Sequence, residues 1–157
     1  MLEHNRLLTE KILVVMHILL GVGAMFGGLT FIIDPSGRLM KMPVEFLKNS
    51  PFNSFLIPGI ILFLIVGILP LVVAYALTTK RRWRMADLLN IFPEMYWGWT
   101  FSLYIGFVLV IWIALEAFYI GVMAAVHLGY ILYGLAIQAV TLLPSVQKNY
   151  LMIGTNR

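Results

Sequence analysis

Cysteine is absent from this 157-residue chain, and charge is scarce: 11% of the residues are Asp, Glu, Lys or Arg, against about 25% in a soluble domain. The first absence excludes disulfides, thiolate metal sites and thiol redox chemistry. The second excludes an ordinary water-soluble domain. Between Glu94 and Lys148 the only formal charge is Glu116. Also missing are GxSxG, HExxH, a Walker loop and paired carboxylates, the arrangements that hydrolysis and phosphoryl transfer require. No catalytic residue and no metal ligand set is assigned, and the chain reads as non-enzymatic.

What is present is apolar sequence, 61% of the chain, with a mean hydropathy of +0.93. Residues 12–33 and 56–77 are the least interrupted runs, 22 residues each. As helices they measure about 33 Å, enough for a hydrocarbon core of roughly 30 Å. The stretch from 96 to 147 is too long for one span and suffices for two. The expectation is an all-α membrane protein: a four-transmembrane-helix bundle in a single integral membrane domain. Its spans would cover about 12–33, 56–77, 97–119 and 125–143, joined by an outer loop at 34–55 and a basic inner loop at 78–95. No cleavable leader is evident, because the N-terminal charges are mixed and the first apolar run is span-length.

Charge sets the orientation. With both termini inside, the inner segments hold eight Lys and Arg, and the outer loop holds three, Arg38, Lys41 and Lys48. That bias predicts cytoplasmic termini. The net charge of +4 is thereby accounted for without a nucleic-acid partner. The Lys-Arg-Arg-Trp-Arg run at 80–84 is the strongest determinant, and Trp83, Trp97 and Trp99 mark the inner interface.

Local signals fill in the rest. Asp34-Pro35-Ser36-Gly37 suits a type I turn. After it, Met40, Met42, Val44, Phe46, Leu47, Phe52 and Phe55 mix with Lys41, Glu45 and Lys48. That predicts an amphipathic outer loop, started by Pro43, stopped by Pro51, and capping the bundle. The Met40 and Met42 thioethers make a weak Cu(I) pair at best. Gly67 and Pro70 predict a kink in span 2. Pro144 ends span 4, and a short mobile tail follows.

Polar residues within the spans are the candidate site. On span 1, His17, Gly21, Ala24 and Gly28 share one face, which predicts close packing against another helix with His17 inside. On span 4, His127, Tyr130, Gly134, Gln138, Thr141 and Ser145 form a polar stripe. Unpartnered polar groups are costly in lipid, so span 4 is expected to line the interior and span 2, which has no such stripe, to face lipid. Glu116, one turn from Tyr119, falls roughly 5 Å below the outer boundary, level with His127. A Glu116–His127 pair at the hairpin end is the central expectation. The candidate ligand or proton-binding residues are therefore Glu116, His127, Tyr119, Tyr130, Gln138, His17 and Asp34. His17 and His127 are separated by roughly 18 Å along the membrane normal, which excludes one haem held by both.

The run Gly-Gly-Leu-Thr-Phe-Ile-Ile-Asp-Pro-Ser-Gly-Arg-Leu-Met-Lys-Met-Pro at 27–43, with Ser-Pro-Phe-Asn-Ser-Phe-Leu-Ile-Pro-Gly at 50–59, resembles a family of small bacterial four-span membrane proteins without an assigned activity. The resemblance implies a bacterial inner membrane and no particular chemistry. Small multidrug-resistance transporters also have four spans and one membrane Glu. Theirs lies in span 1, with shorter loops and weaker charge bias. DoxX-like proteins are similar in size and hydropathy alone.

Three functions follow as expectations. The first is binding of a lipid, small ligand or protein partner in an outer-side polar cavity. The second is a small proton- or cation-coupled transporter using the span 4 stripe. The third is a quinone- or haem-associated redox subunit. No cofactor is predicted, with lipid or quinone as the candidate small molecules. Membrane lipids, a homo-oligomer or a membrane-protein partner are the candidate associates.

Overall fold

The computed structural model describes Leu2 to Met152, with side chains from Leu8 onward. The Arg6 and Arg157 side chains used in the charge count, and the tail at 153–157, lie outside the described residues. Among those described, the chain is all helical, with one isolated bridge between Met95 and Leu151 in place of any sheet. Three helical stretches, Leu8–Ile33, Leu56–Thr79 and Trp97–Ile120, are long and apolar enough to cross a membrane. A fourth qualifies if Ala125–Thr141 and Pro144–Tyr150, bent by 63°, count as one.

The first helix, α1 (Leu2–Ile33), ends at the Asp-Pro-Ser-Gly turn, where Gly37 N–H donates to Asp34 O at 3.0 Å. Pro43 then precedes a single 3₁₀ turn, Val44–Leu47. The second apolar rod has three parts: α2 (Leu56–Ile61), a π-helical stretch Leu62–Ile68, and α3 (Leu69–Thr79). The expected disturbance near Gly67 and Pro70 thus takes the form of a widened helix. Pro70 has no N–H to give to the turn before it, and Leu69 N–H reaches five residues back to Leu64 O. Lys80 closes α3 in the left-handed conformation, φ 52°. A short helix, α4 (Arg84–Leu88), leads to α5 (Trp97–Ile120). Gly121, φ 76°, turns the chain into α6 (Ala125–Thr141), and Pro144 opens α7 (Pro144–Tyr150).

The small-residue face of α1 packs against span 2 at backbone distance. A Cβ on Gly28 would lie 2.6 Å from Phe63 N and 2.8 Å from Gly59 O, and one on Gly21 would lie 2.8 Å from Gly67 O. Glycine is required there because the neighbouring backbone occupies the space a side chain would need. By contrast a Cβ on Gly23, which lies off that face, would have no neighbour within 4 Å. Phe31 stacks on Phe55 at 4.8 Å and ties the ends of α1 and span 2 together.

Two expectations about helix placement are corrected. Span 2 is not the most lipid-facing helix, because it packs along α1 and, through α3, against α5. Span 4 is not the interior helix. Helix α5 buries twelve residues while α6 buries four, His127, Gly134, Ile137 and Thr141. The reason is that the buried polar residues of α6 are met without surrounding them: Thr141 bonds α5 and His127 accepts from Ala124 N–H at its own helix start, so no central position is needed. The tail is also ordered as far as Met152. Tyr150 is buried and donates to Leu77 O at 2.9 Å, while Tyr96 N–H donates to Tyr150 O at 2.8 Å.

Gly28→Leu should destabilise the chain by about 1–3 kcal/mol or more through overpacking, whereas Gly23→Leu, on open surface, should stay within about 0.5 kcal/mol. Unfolding of both variants by denaturing detergent in mixed micelles checks the contrast.

Candidate functional site

A cavity of about 240 Å³ opens where the first loop meets the end of α5. Phe31 of α1, Pro58 and Ile61 of α2, and Leu62 form one side; Trp112, Leu115, Glu116 and Tyr119 of α5 form the other. The first loop roofs it with Met42, Phe46, Leu47 and residues 50–52. The lining is mostly carbon, so the polar cavity expected from sequence is an apolar one. Glu116 is the sole charged side chain among the described lining residues, joined by the Ser50 and Tyr119 hydroxyls. It is half-buried, one turn before the end of α5, about 6 Å along the axis from Ile120.

The roof is built by local bonds. The Ser36 hydroxyl donates to Asp34 Oδ1 at 2.5 Å, Leu39 N–H to Oδ2 at 2.9 Å, and Ser36 N–H to Oδ1 at 3.2 Å. Arg38 Nε donates in turn to Ser36 Oγ at 3.0 Å. The Ser36 hydroxyl, then the Leu39 amide, hold the Asp34 carboxyl below its ordinary range. Gly37 sits at φ 76° where an added Cβ would meet Met42 O. Phe55 N–H donates to Pro35 O at 2.9 Å, and Leu47 and Phe55 are buried against Phe31. Asp34 therefore folds the roof and lies outside the cavity lining.

Of the seven candidate residues, the cavity brings together Glu116 and Tyr119. His127 is buried nearby and within electrostatic reach of Glu116, yet its Nδ1 accepts from Ala124 N–H at 3.0 Å and caps α6. No hydrogen bond joins Glu116 to His127 among the described residues. Tyr130 is 46% exposed on the outward face of α6. Gln138 lies against Gly106 of α5, with its Nε2 unpartnered among the described residues. His17 is fully buried far from the cavity; its Nδ1 donates to Leu13 O at 2.8 Å, one turn back, and Nε2 finds no described partner.

The rest of the polar stripe holds helices together. Ser102 Oγ and Thr141 Oγ1 are 2.7 Å apart, and Trp99 Nε1 donates to Thr141 O at 2.8 Å. Tyr133, outside the stripe, donates to Met16 O at 2.9 Å and links α6 to α1. The small face Gly121, Ala125 and Gly129 is exposed.

Sequence reasoning located the basic end but missed the bonds that fix it. Tyr96 OH and Trp97 Nε1 both donate to Arg81 O, at 2.7 and 3.0 Å. Burial first, and then the Asp87 carboxylate, push the Tyr96 phenol up to about 12, so it stays a donor. Lys80 Nζ donates to Asn149 O at 3.2 Å, lies 4.9 Å over the Tyr150 ring, and sits 3.9 Å from Glu10. A signal for the docked tail was present: Val146 and Tyr150, four apart after Pro144, make a helical apolar face. Among the described residues no group of three or more His, Asp or Glu converges as a metal site.

In a double-mutant cycle, Ser102→Ala and Thr141→Val should show coupling of about 0.6 kcal/mol and at most about 1.7; additivity would mean that this contact does not hold α5 to α6. Folding depresses the Asp34 pKa, so Asp34's contribution to the roof's ordering is full above the ordinary carboxylate value of about 3.9 and is lost as pH falls through its lower folded value. Hydrogen exchange at the Leu39 amide should thus show protection at neutral pH that Asp34→Ala abolishes. Neither protein-family models, curated proteins nor solved structures match this chain, so its function is read from this geometry alone.

Proposed function

We propose that the chain is a non-enzymatic, four-span membrane protein that binds a lipid-class or other small apolar ligand in the cavity beneath the first loop. The observation that carries this is an apolar cavity of about 240 Å³ with one carboxyl, Glu116, on its wall. Pockets for drug-sized ligands run from about 300 to 1,000 Å³. This one suits a chain end or a single ring, with the remainder of the ligand in the bilayer. Glu116 would bond the polar group of that ligand, accepting when ionised and donating when protonated. The cavity also borders the π-helical stretch at Leu62, and such irregular turns are frequent at functional sites.

In this reading α6 is the fourth span and α7 turns away beyond Pro144. The termini are cytoplasmic by the Lys and Arg bias, and the membrane is a bacterial inner one by the resemblance of the first loop. The transport reading needs a polar route along His127, Gln138, Thr141 and Ser145. His127 and Thr141 are already engaged in capping α6 and bonding α5, which favours binding over transport. A quinone is one ring compound the cavity would accept.

Native mass spectrometry of protein released from membrane vesicles in mild detergent tests the proposal. The expected result is a retained apolar mass, its retention falling about tenfold or more in Glu116→Gln, as loss of a hydrogen bond to a charged group implies. It should fall also in Ile61→Phe, which fills the cavity. Equal retention by both variants and the parent chain would sink the idea, and a redox-active mass would assign a quinone.

A further inference from the structure

The segment between α3 and α5 combines two features that rarely share a water-facing loop. Its apolar side chains are turned outward: Leu88 is 81% exposed, Ile91 67%, Met85 66% and Leu89 64%. Its cations, Arg81, Arg82 and Arg84, are exposed beside them. Only Ala86 of α4 is buried against the bundle. Four basic residues at 80–84 stand against two carboxylates, Asp87 and Glu94, leaving the loop a net +2. Lys80 is turned toward Asn149 and Tyr150, so the outward charge is assigned to Arg81 and Arg84.

The segment does not project beyond the bundle. Tyr104, two turns into α5, donates to Leu89 O at 3.0 Å, and Thr100, one turn in, donates to Asn90 Oδ1 at 2.6 Å. Leu89 and Asn90 therefore lie back along the flank of α5 and not above its first residue. Asn90 fixes the return, with Nδ2 donating to Met95 O at 2.8 Å and Oδ1 accepting from Phe92 N–H at 3.1 Å. The Arg81 carbonyl is held by Tyr96 and Trp97, and Trp83 packs edge-on to Trp97 at 5.6 Å. The backbone is thus fixed while the four apolar side chains, Arg81 and Arg84 remain exposed.

We infer that residues 81–91 are an interfacial anchor that seats in a leaflet of anionic phospholipid. Met85, Leu88, Leu89 and Ile91 enter the acyl boundary, and Arg81 and Arg84 pair with lipid phosphates. An exposed apolar cluster of this kind marks a membrane or protein contact. Its position on the flank of a membrane-length helix selects the membrane. Its positive charge selects acidic headgroups, and guanidinium forks match phosphate geometry. Each arginine should be worth about fivefold in preference for acidic over neutral lipid.

The test uses the full chain in vesicles of phosphatidylcholine alone and of equal phosphatidylcholine and phosphatidylglycerol. Because the chain has no cysteine, Leu88→Cys accepts a single spin label. The label should be shielded from a water-soluble relaxation agent and open to oxygen in the mixed vesicles. Native mass spectrometry of the unlabelled parent chain should show phosphatidylglycerol retained over phosphatidylcholine, less so as salt rises. Arg81→Gln and Arg84→Gln should each lower that preference about fivefold. If either variant fails to insert, the salt dependence of the parent chain reads the same term. A label exposed to the aqueous agent, spin coupling between two copies at Leu88→Cys, or equal retention of both lipids would each overturn the anchor.

Discussion

The approach of α1 to span 2 is set by backbone, and much else is arranged around it. At Gly28 and Gly59, and at Gly21 and Gly67, the backbone of one helix comes within 3 Å of where a Cβ on the other would lie. Inside a bilayer, lipid tails are as apolar as leucine, so such pairs are held by close van der Waals contact. The contact near Gly28 and Gly59 also brings Phe31 and Phe55 within stacking distance. The chain between them must then turn back sharply. Asp34 and Gly37 make that turn, and the returning loop becomes the roof of the cavity.

The remaining helices are joined by a different device. Six aromatic donors each reach a backbone carbonyl on another element: Tyr96 and Trp97 on Arg81, Trp99 on Thr141, Tyr104 on Leu89, Tyr133 on Met16 and Tyr150 on Leu77. Large rings bring contact area and finish on a polar tip that must be satisfied when buried. Five of the six donors lie toward the basic end, where Met95 through Leu103 are all buried. The far end of α5 has no such network, and only Ala117 is buried in its last two turns. A bundle tied tightly at one end and by a loop at the other leaves room at the second, and that is where the cavity lies.

This division explains what could be read in advance. The apolar runs and the Asp-Pro-Ser-Gly turn are local signals, and they marked the C-terminal end of α1 and both ends of α5 to within a residue, while α1 begins ten residues before the apolar run. The small face of α1 was legible as a contact face because spacing alone defines it. The identity of the central helix was not. A polar stripe on α6 says that those residues need partners; whether the partners surround them or sit on one neighbour depends on packing. Thr141 found Ser102 and Trp99 on α5 alone. Likewise Glu116 and His127 come within electrostatic reach of each other, but helix rotation directs one toward the cavity and the other toward the α6 cap. Tyr150 was passed over because its carbonyl partner, Leu77, is distant in sequence.

The π-helical stretch of span 2 has an arithmetic consequence. On α1 the contact glycines, 21 and 28, are seven residues apart, which in an α-helix returns nearly to the same face. On span 2 they are 59 and 67, eight apart, which in a regular α-helix would leave the second about 80° round the axis from the first. Residues 62–68 wind more loosely, with more residues to each turn, and this rotates Gly67 back toward α1. Span 2 therefore carries one residue more than a straight α-helix would need to make the same contacts. It behaves as a helix that absorbed an insertion by local unwinding, keeping its phase against α1 on both sides of the extra residue.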